Sequence, residues 1–370
     1  MDFSVDRNVF QEAVQRTLGI VERKTTIPIL SNILIRADST SIRIVATDRE
    51  IGLVADYEAQ VSEKGDITVN ARKLYEMIRE MEGEQIHFTT SGNNQAFLAA
   101  EKAEYRIPGI PADDFPDVRR EDTIPCFTIP ARLLKGIIKK VFYAASTDET
   151  RPSLNGIFFK KEGTICEMVA TDGHRLSLVA QALPEEKDDG LSVEGVIIPR
   201  KGLGEVRKMV DDGEGVVEMG VADHVMVVRK DTSMLRLGLI DAVYPDYRRV
   251  VPKDRGASVL IEKHRFLQSL RRMGVMSTEL FSGVIISLDK GIMKLNSTNP
   301  DVGEANEEVP VDYNDGSISA GFNVRYLIEA VDSMEGETIS FEMRSDGGPG
   351  VMRVKGTDDH LCIIMPIKIE

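Results

Sequence analysis

Three stretches decide the fold: IVATDREIGLVA (residues 44–55), MVATDGHRLSLVA (168–180) and LNSTNPDVGEA (295–305). The first two share Val-Ala-Thr-Asp and a following Leu-Val-Ala, and the third keeps the pattern more weakly. Thr47 and Thr171 are 124 residues apart, and Thr171 and Thr298 are 127 apart. A fixed period of this kind marks internal repeats. Two further elements recur in the same order. One is ITVNARKLYEMI (67–78), VIIPRKGLGEV (196–206) and GFNVRYLIEAV (321–331). The other closes each unit: YRIPGIPADDFPDV (105–118), LRLGLIDAVYPDYRRV (235–250) and LCIIMPIKI (361–369). The 370 residues therefore divide into three units, expected at 1–120, 121–252 and 253–370, with polar, proline-bearing linkers at 118–125 and 250–258.

Each unit is doubled again. Short apolar strands run into helices at 3–15, 67–78, 127–137, 196–206, 259–270 and 321–331. Asp6, Asn70 and Asn323 suit helix N-caps, and Pro130 and Pro199 suit helix starts. Alternating segments such as GVVEMGVADHVMVVRKD (215–231) follow and read as strands with one buried face. The fold class is α+β, with six strand–helix–strands modules, sheets on one side and one helix per module on the other. Three ordinary α+β domains in a row would account for the repeats as well.

The chain is 42% hydrophobic and 29% charged, as a globular protein is. Acid at Asp2 and Asp6 stands where a signal peptide needs basic and then apolar residues. Cys126, Cys166 and Cys362 form no CxxC pair, and the five histidines are scattered. A cytoplasmic protein without metal or cofactor is expected.

A net charge of −14 argues against DNA binding until it is mapped. Six helix windows (7–24, 70–82, 131–143, 200–210, 262–273 and 324–334) together carry +11, which leaves −25 on the rest. Positive charge is segregated onto the helices, where a phosphate backbone would be drawn. Arg72, Arg132, Lys139, Lys140, Lys201, Arg207 and Arg271 are the candidate DNA-facing cations. Helices packed side by side stand about 8–10 Å apart, so six in a circle leave a hole of roughly 9 Å and twelve leave roughly 28 Å. Only the larger ring admits duplex DNA about 20 Å wide, so two chains are expected to close it. Lys73, Lys102 and Arg106 in the first unit face a complementary acidic run, Asp301, Glu304, Glu307 and Glu308, in the last. A solvated acidic loop would look the same.

TDGHRL (171–176), YPDYRRVVP (244–252), GFNVRYL (321–327) and IMPIKI (364–369) resemble the bacterial sliding clamp, the β subunit of the replicative DNA polymerase, over the whole chain. The resemblance implies three clamp domains, each with two helices on the inner face and sheets outside, and a head-to-tail homodimer closed into a ring around DNA. It implies a pocket between the second and third domains that takes short motifs of the polymerase, the clamp loader and repair proteins. Pocket residues implied are Leu154, Thr171, Gly173, His174, Arg175, Leu176, Pro245, Arg249, Val250, Met365 and Pro366, with Arg175 and Arg249 as a polar rim. Dimer contacts are implied at Lys73, Tyr105, Ile107, Val275 and Met276, and a DNA contact at Lys24. The tail departs from the family's common MPMRL ending, and Asp148 stands where a polar DNA-contacting residue is familiar.

Two other classes compete. Asp172, His174 and Ser177 are the residue types of an acyl-transfer site. However, no GxSxG, phosphate loop or HExxH accompanies them, and an enzyme is not expected. A peptide-binding scaffold indifferent to DNA would have no reason to gather positive charge on its helices.

Overall fold

The computed structural model describes residues 1–22, 26–184, 190–252, 254, 256–278 and 281–368. These contain six α-helices: α1 (Arg7–Thr17), α2 (Ala71–Glu80), α3 (Ala131–Val141), α4 (Arg200–Met209), α5 (Lys263–Gly274) and α6 (Val324–Ser333). The capping residues act as their chemistry dictates. Asp6 accepts the N–H groups of Asn8 and Val9 at 2.9 and 3.0 Å, and Asn70 accepts that of Lys73 at 3.0 Å. Asn323 caps α6, and Glu262 caps α5. Pro130 and Pro199 do not start helices; each is the last residue of a strand, and the helix begins one residue later. Helix α1 ends at Thr17, short of the expected window, and Gly19 follows. None of these helices is long and apolar enough to cross a membrane.

The repeated Thr-Asp pair is a hairpin device. Thr47 donates its hydroxyl to the Ile51 carbonyl at 2.8 Å, and Thr171 donates to the Arg175 carbonyl at 2.6 Å. Asp48 accepts the N–H groups of Glu50 and Ile51, and Asp172 those of His174 and Arg175. A short acceptor two or three residues ahead of a donor is the Asx-turn, which folds locally. In the third copy Asn299 takes that place and accepts from Asp301.

The chain forms two compact units that cut across the three sequence repeats: residues 1–134 with 201–239, and 135–200 with 240–370. The first unit holds a thirteen-stranded sheet. In it the strand Ser233–Gly238, from the second repeat, pairs antiparallel with Ile51–Glu58, from the first, setting Arg236 opposite Gly52. The second unit holds sheets of eight and four strands. There His360–Ile364 pairs with Arg175–Ala182, setting Ile363 opposite Leu176. These are the same joint made twice, because Gly52 and Leu176 both lie opposite the motif threonine, Thr47 or Thr171. Beyond each joint strand the chain crosses to the strand ahead of a helix: Ile110 pairs with Thr68, the Ile240 N–H bonds the Ile197 carbonyl, and Ile367 bridges Gly321.

Under the second joint lies a buried polar knot. The Ser177 hydroxyl donates to the Lys140 carbonyl at 2.7 Å and lies 3.1 Å from His360 Nε2. Cys362 Sγ lies 3.3 Å from the same nitrogen and 3.1 Å from the Tyr143 hydroxyl. Burial, helped by the Lys140 ammonium, pushes the His360 imidazole down to about 4. A base with a depressed folded value stabilises the fold above its unfolded value near 6.5 and loses that contribution as pH falls toward 4. We expect unfolding free energy to drop by about 2 kcal/mol between pH 7 and pH 5 on this account. Urea melts of the chain and of His360→Gln at both pH values check this; an equal acid sensitivity in the two would exclude His360 as its source.

Candidate partner pocket, basic helix faces and free strand edges

The second unit carries an apolar cluster on the other face of that joint. Val169, Leu176, Tyr247, Val351, Leu361 and Ile363 are buried, with Phe158, Leu178, Tyr244 and Val251 packed against them. The Tyr244 hydroxyl donates to the Val169 carbonyl at 3.1 Å, and the Tyr247 hydroxyl donates to Glu167. Burial and that carboxylate push the Tyr247 phenol up to about 12. These two rings pin the strap carrying Pro245, Arg249 and Val250. Gly173 turns with φ +92°, a conformation suited to glycine. The Met365 N–H bonds the His174 carbonyl at 2.9 Å, so the tail and the TDGHRL turn meet. Leu154 belongs to a turn whose Arg151 donates to the Asp172 carbonyl at 3.2 Å. Leu176 is buried, while Val250 is 43% and Met365 41% exposed. The surroundings of the expected pocket residues thus offer an apolar floor with open apolar edges, which suits large hydrophobic side chains of a peptide. Phe158, Tyr244, Tyr247, Leu361 and Ile363 were not anticipated; the paired tyrosines of YPDY were the available signal.

Arg175 is not a rim residue. Its side chain is 11% exposed and donates to Asp172 at 3.0 Å, to the Tyr143 carbonyl at 2.7 Å and to Glu329. Its guanidinium also lies 4.4 Å over the Tyr326 ring. Burial works against the charge, but Glu329, Asp172 and Tyr143 outweigh it and raise the guanidinium value. Arg249, by contrast, is exposed and paired with Asp246 at 2.9 Å. Asp148 is engaged by Thr150 and Arg151, which hold its carboxyl below the usual range.

Arg72, Arg132, Lys139, Lys201, Arg207 and Arg271 are exposed on their helices. Lys201 is tied to Asp48, and Arg271 lies 3.4 Å from Asp332. Lys140 corrects the expectation: its side chain is 9% exposed and ion-pairs with Glu335 at 3.0 Å, so it offers no charge to DNA. It sits one position past Lys139, about 100° around the helix, and this turns it into the joint. Lys24 lies outside the described residues.

Two of the open strand edges lie in the first and last repeats. Among the described residues Gly303–Pro310 pairs only with Ile292–Asn299, and Ala103–Pro108 only with Gln95–Ala100. Asp301 and Glu304 are exposed there, as are Val302, Val275 and Phe281, while Met276 is half-buried. Val302 and Phe281 were missed, because lone apolar residues in a polar loop give no periodic signal. Lys73 is exposed and paired with Glu76 at 2.7 Å. Tyr105 is half-buried. Ile107 is already buried within the first unit, so it has little side-chain surface to offer a partner. Glu307 is not a free acid either, since Arg272 and Ser269 hold it.

Asp172, His174 and Ser177 do not form a triad. Asp172 caps its turn and binds Arg175, His174 lies against the Tyr326 ring, and Ser177 is buried on the Lys140 carbonyl.

Residues 1–119, 128–246 and 248–368 match, in that order, the N-terminal, central and C-terminal domains of the DNA polymerase III beta subunit. A beta sliding clamp of Caulobacter vibrioides is 30% identical over 375 residues, with both chains covered in full. The crystal structure of the DNA polymerase sliding clamp from Bacillus subtilis superposes with a TM-score of 0.94 at 25% identity over the full length of both chains. A Caulobacter crescentus beta sliding clamp with polyethylene glycol bound to its putative beta-motif tethering region gives 0.92 at 29% identity, covering 100% of this chain and 99% of that one.

Proposed function

The chain belongs to the DNA polymerase III β-subunit family, the bacterial sliding clamps, and from that premise we propose which of its residues do a clamp's work. It is a processivity factor rather than an enzyme: a homodimeric ring encircles duplex DNA, slides, and tethers the replicative polymerase. The clamp loader and repair proteins use the same tether in the cytoplasm. Its clamp domains are residues 1–120, 121–252 and 253–370. Arg72, Arg132, Lys139, Lys201, Arg207 and Arg271 face the DNA. The tether is the apolar cluster around Leu176 with its edges at Val250 and Met365.

The observation that carries this reading is the joint made twice within the chain. A third copy needs two open edges of the right repeats, Gly303–Pro310 of one subunit and Ala103–Pro108 of another. Glu304 lies opposite Thr298, as Gly52 and Leu176 lie opposite Thr47 and Thr171. In the closed joints the residue facing that position is Arg236 or Ile363, and the matching residue of the first repeat is Arg106. The repeat therefore sets Arg106 opposite Glu304, a favourable cross-strand pair. Val275, Phe281 and Val302 supply apolar surface beside it.

A closed ring stays linked to DNA even where its phosphate contacts are weak and salt-sensitive. Loaded on nicked circular plasmid, the protein should survive gel filtration with the DNA, and linearising the plasmid should release it. Equal retention on both forms would mean ordinary phosphate binding and would refute the ring.

A further inference from the structure

The two joints inside the chain are paired within one polypeptide, whereas a clamp's intersubunit joint must open for DNA to enter. Its chemistry should differ accordingly, and the repeat shows where. Three positions matter.

The first is the tenth residue of the helix that opens each repeat. It is Arg16 in α1, which pairs with Glu12 of its own helix at 2.6 Å, Lys140 in α3 and Arg272 in α5. The second lies two residues beyond the helix that closes each repeat. It is Glu82 after α2, Asp211 after α4 and Glu335 after α6. Lys140 bonds Glu335 at 3.0 Å in the closed joint. By the same geometry Arg272 would reach the partner subunit's Glu82 when the ring closes.

The third position lies three places along the joint strand from the residue facing the motif threonine. It is Ala55 in the first repeat, Val179 in the second and Glu307 in the third. Ala55 and Val179 are fully buried. Glu307 instead accepts from Arg272 Nε at 2.8 Å, from Arg272 Nη2 at 2.5 Å and from the Ser269 hydroxyl at 2.8 Å. The Arg272 guanidinium holds its carboxyl below the usual range.

We propose that Glu307 is a built-in competitor that makes this joint separable. In the open chain it captures Arg272, and closing requires that the pair be surrendered to the partner's Glu82 or buried whole. Burying an ion pair gains little over an apolar contact of the same size, and often less. Glu307 thus weakens the closed ring relative to the two joints within the chain and stabilises the opened end. This rests on the clamp reading and adds a position at which ring stability is set.

The test is sedimentation equilibrium of Glu307→Val, with Glu307→Gln as a nearly isosteric second variant. Circular dichroism verifies their fold. Glu307→Val should dimerise at least tenfold more tightly than the natural chain and leave circular plasmid more slowly by a similar factor, with Glu307→Gln in between. Glu82→Gln should weaken the dimer in both the natural and the Glu307→Val backgrounds. Unchanged or weaker dimerisation of Glu307→Val would overturn the proposal, since Glu307 would then be a neutral or attractive interface acid. A natural chain that stays monomeric at micromolar concentration would instead defeat the clamp reading itself.

Discussion

Arg106→Glu is expected to take the dimer apart. In the proposed register it places a carboxylate opposite Glu304 of the partner strand, and a head-to-tail ring contains that joint twice. Losing the attraction and adding like-charge repulsion amounts to about 2 kcal/mol per joint, hence roughly a thousandfold in the dimer dissociation constant. Glu304→Arg alone should do the same, although Glu304 also accepts from Asn296 at 3.0 Å and Asn306 at 2.8 Å, so a little local order goes with it. Combining Arg106→Glu with Glu304→Arg should restore most of the affinity, because the pair is rebuilt in reverse. Sedimentation at several concentrations reads all three. A double variant no better than the singles would break the register derived from the repeats.

Charging the edges of the apolar cluster is expected to abolish motif binding with the ring intact. Met365→Asp and Val250→Asp each set a carboxylate where a peptide's large side chain would be buried, and together they should cost at least a hundredfold in affinity for a fluorescent Gln-x-x-Leu-Phe peptide. Met365→Ala removes only packing and should cost about tenfold. Point variants separate binding from folding better than deletion of residues 365–370. The Ile367 N–H bonds the Gly321 carbonyl at 2.8 Å, and this crossing recurs at Ile110 and at Ile240. The tail is therefore a structural strap besides its proposed part in the pocket, and deleting it should lower the melting temperature. Undiminished peptide binding by the doubly charged variant would move the tether elsewhere.

Much of this protein follows from local sequence. At Thr47-Asp48 and Thr171-Asp172 threonine followed by aspartate closes a hairpin, because the two side chains satisfy the turn's own backbone groups; hence Thr47 and Thr171 mark the repeats. Asp6, Asn70 and Asn323 start helices for the same local reason. The segregation of positive charge onto helices is likewise readable, since helix windows are defined by apolar period alone. Three things were decided only by tertiary structure. The compact units cut through the second repeat, because strand edges pair with whichever edge lies beside them in space: Ser233–Gly238 pairs with Val225–Lys230 of its own half-repeat on one edge and with Ile51–Glu58 of the first repeat on the other. The availability of each charge was also settled there. Lys139 and Lys140 are neighbours in sequence, yet one is exposed and the other is buried on Glu335, and Arg175 and Glu307 are consumed by Glu329 and Arg272. Finally, the pocket's floor gathers Leu176, Tyr247 and Ile363 from segments up to 187 residues apart. Sequence specifies each turn and cap because their donors and acceptors are a few bonds away. The exposure of a charge or an apolar face depends on what packs against it, which only the assembled chain determines.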